Sequence, residues 1–210
     1  MDRGNITQVD EGFMKKIAVY CGSSSGTEAI YKEQANALGE AMAKRHIGLV
    51  YGGAKVGLMG AIADAVLKAG QEVIGVLPTF FGTKEIAHED LTELIMVKTM
   101  HERKMKMNEL CDGVIAMPGG FGTMEELFEM LTWGQIGLHS KPVAILNTNG
   151  YYDSLIALAD QMVSDGFLKK LNQELLIVEN DVEVLLDKME NYEVTNVPKW
   201  IIEKKAARSD

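Results

Sequence analysis

Residues 112–126 read DGVIAMPGGFGTMEE, a short apolar run that passes through a glycine-rich turn into an acidic segment. The apolar run predicts a buried strand, and the segment after the turn predicts the start of a helix. The same order occurs earlier in the chain, where the apolar runs of IAVYCGSSSG (17–26) and IGLVYGG (47–53) also end in glycine. Strands that alternate with helices in this way predict one parallel β-sheet covered by helices.

The rest of the chain continues this alternation. Short apolar segments predict further strands at 72–78, 94–97, 142–147 and 175–178. Apolar residues that recur at helical spacing predict helices at 27–45, 58–69, 100–110, 152–164 and 182–189, and one more that runs from the glycine-rich turn to about residue 137.

The predicted fold class is therefore α/β, a single-domain, Rossmann-like, doubly wound parallel sheet flanked by helices. Its expected limits are residues 15–191, between a flexible leader at 1–14 and a polar tail at 192–210. Such sheets bind ligands at the carboxyl ends of their strands, where the strand order reverses. Because each glycine-rich turn follows a strand, we expect these turns to gather at that edge.

Composition excludes several classes of function. The chain has 210 residues and a formal net charge of −9, which argues against binding to nucleic acid, since phosphates require a basic surface. No apolar run approaches the ~20 residues of a membrane-spanning helix, and the run at 17–21 is too short for a secretion signal. Cys21 and Cys111 form no CxxC or Cys/His cluster, which argues against a zinc site and fits a reducing compartment. We expect a cytoplasmic protein with no metal site.

The turn at 119–123 (GGFGT) has the features of an anion-binding loop. Glycines leave room for an anion to touch backbone N–H groups, and the following helix aims its first amides and its positive dipole end at the same place. The Walker pattern GxxxxGK[ST] is absent, so a phosphate here would be held without a P-loop lysine. A structural interpretation stays open, because Thr123 and Glu126 have the spacing of a capping box that would only satisfy the helix start.

Three carboxylates follow within the first turns of this predicted helix, at Glu125, Glu126 and Glu129. They are typical of an acidic helix start, where the dipole stabilises negative charge. The alternative is that one of them faces a ligand held beside the glycine-rich turn.

A basic run, MHERKMK at 100–106, stands out in an otherwise acidic chain. Such a run is usually a solvated helix face. It directly follows a predicted strand, however, which places Arg103 and Lys104 at the edge where the glycine-rich turns gather. An arginine there can hold a phosphate or a carboxylate through two hydrogen bonds. His101 is more typical of a structural, hydrogen-bonded histidine.

The other two glycine-bearing turns, at 21–26 and 52–60, differ from the GxGxxG pattern of dinucleotide-binding proteins. The second strand also lacks the acidic residue that would hold a ribose. A dinucleotide-dependent oxidoreductase is therefore disfavoured, while either turn could line a mononucleotide pocket or simply allow a tight turn. Cys21 and Cys111 are more typical of small core residues than of nucleophiles.

Several of these segments resemble one known family. PGGFGTMEE at 118–126 matches the PGGxGTxxE signature of the LOG (LONELY GUY) family of cytokinin riboside 5′-monophosphate phosphoribohydrolases. The resemblance extends from about residue 16 to residue 191. It also includes CGSSSG (21–26), YGGAKVGLMG (51–60), MHERK (100–104) and TWGQIG (132–137).

The resemblance implies hydrolysis of the N-glycosidic bond of an N6-substituted adenosine 5′-monophosphate, which yields the free base and ribose 5-phosphate. It implies Arg103 and Glu126 as the catalytic pair, no metal or organic cofactor, and a homodimer with sites near the interface. It implies nucleotide contacts from Glu85, Lys104, Gly119, Gly120, Phe121, Gly122, Thr123, Met124, Glu125 and Thr132. The other two glycine-bearing turns add Gly22, Ser23, Gly53 and Met59 as candidates. Older labels call such proteins lysine decarboxylases, but the sequence has no pyridoxal-site pattern.

The residue types suit this chemistry. Cleavage of a ribosyl C–N bond builds positive charge on the ribose, and a nearby carboxylate stabilises that charge or activates the attacking water. We assign this part to Glu126. We expect Arg103 to fix the nucleotide, to orient the carboxylate and to keep it ionised. The 5′-phosphate would rest on the turn at 119–123 and position the reacting carbon. The alternative is a non-catalytic binder of a nucleotide or of molybdenum cofactor, which would need the loop but not the Arg103–Glu126 pair.

Overall fold

The computed structural model describes residues 14–81 and 87–193. The strands, in chain order, are β1 Lys16–Tyr20, β2 Gly48–Tyr51, β3 Val73–Pro78, β4 Glu93–Val97, β5 Gly113–Ala116, β6 Val143–Leu146 and β7 Leu176–Glu179. The helices are α1 Ala29–Lys44, α2 Gly57–Lys68, α3 Met100–Leu110, α4 Phe121–Gln135, α5 Asp153–Ser164, α6 Lys170–Gln173 and α7 Val182–Glu190. Short 3-10 turns follow β3 at Thr79–Phe81 and β6 at Thr148–Gly150.

The seven strands of the described residues form one parallel sheet in the order β4-β3-β2-β1-β5-β6-β7. The central strand β1 is covered on both faces. Ile17 and Val19 belong to a core shared with α1, α2 and α7, whereas Ala18 and Tyr20 belong to a second core shared with α3 and α4. Burial on both faces explains why the strands are continuous apolar runs rather than alternating ones. The predicted fold class is confirmed.

The strand order reverses beside β1, and this reversal creates the place for a site. The chain builds outward from β1 to β4 on one side and then from β5 to β7 on the other. The loops after β1 and β5 therefore lead to helices on opposite faces of the sheet, and a crevice opens between them at the carboxyl edge. Two backbone hydrogen bonds close its base, from Met117 N–H to the Tyr20 carbonyl (2.8 Å) and from Gly22 N–H to the Pro118 carbonyl (3.0 Å).

The structure departs from the sequence-based elements only in detail. The short helix α6 is not predicted, because four residues are too few to display helical periodicity. The residues 1–13 of the expected leader and 194–210 of the expected tail lie outside the described residues, so the limits of the domain stay a prediction. None of the described helices is both long and apolar enough to cross a membrane.

Candidate active site

A cavity of about 560 Å³ occupies the crevice at the carboxyl edge of the sheet. The polar part of its wall comes from the loops after β1 and β5 and from α3 and α4, and includes Gly22, Ser23, Arg103, Gly120, Gly122, Thr123, Glu125 and Glu126. Its apolar part includes Val56, Met59, Leu77, Phe81, Met100, Met107 and Phe121. Because β1 and β2 separate β5 from β3, the start of α4 and the residues that follow β3 lie at opposite ends of the cavity.

The polar end is built around the N-terminus of α4. Gly120 is the N-cap residue, and its carbonyl accepts a hydrogen bond from Met124 N–H (3.2 Å). The first N–H groups of a helix have no acceptor within the helix and are available to an anion. Thr123 lies inside the first turn, so the structure excludes the alternative of a capping box between Thr123 and Glu126. The glycines of the turn do not prevent helical backbone, and the helix therefore begins two residues before the threonine.

Close packing also explains one glycine of this turn. Thr123 is 4% exposed, and its side chain packs against Gly119. A Cβ atom at position 119 would stand 2.2 Å from Thr123 Oγ1 and 2.9 Å from the Gly22 nitrogen. Any side chain at 119 would therefore separate the turn both from α4 and from the loop after β1.

Arg103 reaches the cavity from α3, with 12% of its side chain exposed. Its Nε donates to the Val76 carbonyl on β3 (3.1 Å), and its Nη1 lies 3.7 Å from Glu126 Oε1. The guanidinium rests against Gly52, where a Cβ atom would stand only 2.0 Å from Nη2. Gly52 is not among the sequence-predicted site residues, although the adjacent Gly53 is. The glycine pair after β2 is visible in the sequence, but only the position of a distant side chain shows which glycine matters.

Glu126 faces Arg103 from the buried side of α4 and is 9% exposed. Burial raises the pKa of this carboxyl from its ordinary value of 4.5 to about 7; Arg103 acts in the opposite direction, and Glu125 adds to the rise. Arg103 thus favours the ionised form of Glu126, as expected, but burial has the larger effect on the pKa. At 3.7 Å the guanidinium is beyond hydrogen-bonding distance, and desolvation outweighs it. Near neutral pH the carboxyl can both accept and donate a proton.

Lys104, the neighbour of Arg103, contacts different carboxylates. Its ammonium group donates a hydrogen bond to Glu125, and it lies 3.0 Å from Glu129 Oε1. The Lys104 side chain is 8% exposed. The wall that the described residues form does not include it. Two protein carboxylates thus already hold this cation.

The structure brings most of the predicted site residues together. Those that line the cavity are Gly22, Ser23, Met59, Arg103, Gly120, Phe121, Gly122, Thr123, Glu125 and Glu126. Those outside the wall formed by the described residues are Gly53, Lys104, Gly119, Met124 and Thr132. The Thr132 hydroxyl donates to the Phe128 carbonyl one turn earlier (2.7 Å). Glu85 lies outside the described residues.

Cys21 also lines the cavity, but it is poorly suited to be a nucleophile. Burial raises the pKa of its thiol well above the usual range, so the thiol stays protonated. Within residues 14–81 and 87–193, no three His, Cys, Asp or Glu side chains are grouped as ligands for a metal ion.

The raised pKa of Glu126 makes folding stability depend on pH. Between pH 4.5 and about 7 the folded protein retains a proton that the unfolded chain releases, so the free energy of unfolding falls as the pH rises through this window. A shift of this size corresponds to about 3 kcal/mol. Glu126→Gln cannot ionise and should therefore gain about this much stability relative to wild type between pH 4.5 and pH 8, as measured by urea unfolding.

Glu109→Gln is the matched control, because it removes an exposed carboxylate from α3 and reports the contribution of surface charge. If the stability difference between Glu126→Gln and wild type follows that of the control across the pH range, burial does not shift the Glu126 carboxyl.

Comparisons with known proteins identify the family to which the chain belongs. The family model described as "Possible lysine decarboxylase" matches residues 59–189. LOG2 of Arabidopsis thaliana, a cytokinin riboside 5′-monophosphate phosphoribohydrolase, is 43% identical over 178 residues, which are 85% of this chain and 84% of that protein. LOG7 of the same plant, with the same activity in its name, is 44% identical over 179 residues, which are 85% of this chain and 82% of that protein.

Solved structures share the fold at lower identity. The molybdenum cofactor binding protein of Rippkaea orientalis superposes with a TM-score of 0.63 at 23% identity, over 82% of this chain and 93% of that chain. The molybdenum cofactor carrier protein of Chlamydomonas reinhardtii superposes with a TM-score of 0.61 at 22% identity, over 83% of this chain and 97% of that chain. At these identities the likeness is one of fold alone, whereas the sequence relatives match across most of the chain. The chain therefore belongs to the LOG family, the family of the cytokinin riboside 5′-monophosphate phosphoribohydrolases.

Proposed function

We propose that the protein hydrolyses the N-glycosidic bond of adenosine 5′-monophosphates, including N6-substituted ones, and releases the free base and ribose 5-phosphate. The observation that carries this proposal is the buried pair of Arg103 and Glu126, 3.7 Å apart in the wall of a cavity whose polar end is a helix N-terminus. The activity named for LOG2 and LOG7 supports it.

A nucleoside monophosphate matches the two ends of the cavity. Its phosphate is an anion suited to the amides at the start of α4, and its base is a flat, largely apolar group suited to Met59, Leu77 and Met100. With the phosphate and the base so placed, the ribose lies between them. Glu126 is one turn into the helix whose first amides hold the phosphate, so its carboxyl reaches the sugar rather than the base.

In this arrangement the ionised form of Glu126 acts at C1′ of the ribose. As the bond from C1′ to the base breaks, its electron pair leaves with the base nitrogen and positive charge develops on the sugar ring. Glu126 stabilises that charge and accepts a proton from the water that attacks C1′, while the departing base nitrogen takes up a proton from solvent. Glu126 then returns its proton to solvent, so that one water is consumed for each bond cleaved. A pKa of about 7 suits this exchange. Arg103, held by the Val76 carbonyl and packed against Gly52, lies beside the carboxylate and favours its ionised form.

Removing the charge of Glu126 should abolish most of the activity. Glu126→Gln preserves size but neither carries charge nor accepts the proton, so turnover of AMP and of isopentenyl-AMP should fall at least ~100-fold. Chromatographic detection of the free base measures this. In the wild type, kcat/KM should rise as the pH increases through about 7, because the ionised carboxyl is the active form. Glu109→Gln serves as the control. Near-normal turnover of Glu126→Gln would show that the Glu126 carboxyl takes no part in the reaction.

A second variant tests the position of Arg103 without changing either charged group. In Gly52→Ala the new Cβ would occupy the place of Arg103 Nη2 and displace the guanidinium. We expect kcat/KM to fall by roughly 10- to 100-fold, since a displacement of about 1 Å costs that much in a preorganised site. Gly48→Ala, at the other end of β2, is the matched control, because its nearest neighbour is 3.3 Å away. Unchanged kinetics of Gly52→Ala would mean that the contact between Gly52 and the Arg103 guanidinium does not affect catalysis.

The alternative of a non-catalytic carrier is supported only by the shared fold. Holding a nucleotide or a cofactor requires the amides at the start of α4 but not a carboxyl with a raised pKa that faces an arginine. Incubation of the purified protein with AMP and isopentenyl-AMP separates the two functions. Release of the free base supports the hydrolase, whereas tight binding of intact nucleotide supports the carrier.

We further propose a cytoplasmic homodimer, with a folded domain at 15–191 and with sites near the subunit interface. The support for the dimer is an exposed apolar face on α4, where Phe121 is 97% and Phe128 40% exposed. The spacing of Phe121, Phe128 and Thr132 places them on one side of the helix. Met105 on α3 and Leu138 after α4 are exposed as well, at 47% and 65%. A second copy of the chain would remove these side chains from water.

A charge on this face should separate the subunits. Light scattering after gel filtration should give the wild type about twice its chain mass of 23.1 kDa, and Phe128→Glu about the chain mass. The matched control is Phe167→Glu, an 89% exposed phenylalanine beyond the end of α5, which should leave the dimer intact. A monomeric wild type, or a Phe128→Glu variant that stays dimeric, would refute the interface.

A further inference from the structure

Three successive carbonyl groups at the start of the glycine-rich turn are each held from outside it. The Met117 carbonyl accepts a hydrogen bond from the Tyr152 hydroxyl (2.6 Å). The Pro118 carbonyl accepts from Gly22 N–H (3.0 Å), and the Gly119 carbonyl accepts from the Tyr151 hydroxyl (2.5 Å). Two neighbouring tyrosines after β6 therefore bind the peptide groups that lead into α4.

The hydrogen bond to Gly119 also determines where an amide points. A trans peptide is planar, and its carbonyl and the N–H of the next residue point in opposite directions. No described peptide bond is cis. Fixing the Gly119 carbonyl towards Tyr151 thus turns the N–H of Gly120 the other way, and Gly120 lines the cavity. A peptide between two glycines has few steric barriers to rotation, so it depends on such an external bond.

Tyr151 is itself held in place. Its ring makes edge-on contacts with Tyr31 (centroids 6.1 Å apart) and Tyr152 (5.0 Å). The preceding 3-10 turn contains Asn149 in the left-handed region, at φ 54°, which asparagine tolerates better than most residues. The Asn147 side chain accepts from Tyr152 N–H at 2.7 Å and thereby ties the end of β6 to the tyrosine pair. The Tyr151 hydroxyl is therefore presented to Gly119 by a constrained segment.

We propose that Tyr151 is a positioning residue for anion binding: its hydroxyl orients the peptide between Gly119 and Gly120 so that the Gly120 N–H faces the bound phosphate. Tyr151 does not line the cavity wall and acts through the turn. The proposal rests on the proposed function in one respect, namely that the anion is the 5′-phosphate of the substrate or product. It predicts that loss of one hydroxyl outside the cavity weakens recognition of phosphate and leaves recognition of the base unaffected.

The test is Tyr151→Phe, which keeps the ring contacts and removes the hydroxyl. Calorimetry with ribose 5-phosphate should show about tenfold weaker binding than wild type, the effect of one well-placed hydrogen bond to a charged group. Binding of free adenine should not change. In turnover of AMP, KM should rise about tenfold while kcat changes less than about threefold. Tyr31→Phe is the matched control, since it removes the hydroxyl from the ring that packs against Tyr151.

Each outcome bears on the proposal. Equal binding of ribose 5-phosphate by wild type and Tyr151→Phe overturns it and leaves the proposed function standing. A loss shared by ribose 5-phosphate and adenine also overturns it, because a general loosening of the fold would act on both. If the wild type binds ribose 5-phosphate but releases no base from AMP, the proposed function fails and the Tyr151 comparison still decides the positioning role. A wild type that releases base from AMP but does not bind ribose 5-phosphate overturns the positioning role and leaves the proposed function standing.

Discussion

A carboxyl buried beside a guanidinium, at the end of a parallel sheet, is the constraint around which this site is arranged. Burial disfavours the charged form of Glu126, and Arg103 offsets only part of that cost. The adjacent Lys104 also lowers the pKa of Glu126, but less than Arg103 does, and its ammonium is bound to Glu125 and Glu129. Arg103 and Lys104, neighbouring cations on α3, thus lie beside different carboxylates on α4. The result is a carboxyl that titrates near neutral pH inside a cavity.

The residue types around this pair are constrained by close packing, as the pair itself is. Arg103 is fixed by the Val76 carbonyl and by the absence of a side chain at Gly52, and the turn before α4 closes on Thr123 because position 119 is glycine. Gly52 and Gly119 therefore have a function in packing, in addition to the turns that their sequence pattern predicts. Single peptide groups of this turn are also held from outside it, because the hydroxyls of Tyr151 and Tyr152 donate hydrogen bonds to the Gly119 and Met117 carbonyls.

The location of the cavity follows from topology, whereas its chemistry does not. Any doubly wound sheet that reverses between β1 and β5 opens a crevice there, and molybdenum cofactor proteins of similar fold have the same architecture. Fold alone consequently does not decide between carrying a ligand and cleaving one. The sequence relatives place this chain in the LOG family. We propose that Arg103 and Glu126, whose side chains enter the crevice, provide the chemistry.

The sequence by itself determined the alternation of strands and helices, the parallel sheet, the edge at which the glycine-rich turns gather, and the family. These features are encoded locally, by apolar periodicity, by the glycine-rich turns after β1, β2 and β5, and by short motifs in order. Tertiary structure alone decided that Thr123 is not a helix cap, that Lys104 binds glutamates rather than lining the cavity, that Gly52 seats Arg103, and that Glu126 has a raised pKa. Each of these depends on desolvation or on contacts between residues distant in the chain, and no local pattern records which side chains the fold brings within a few ångströms of one another.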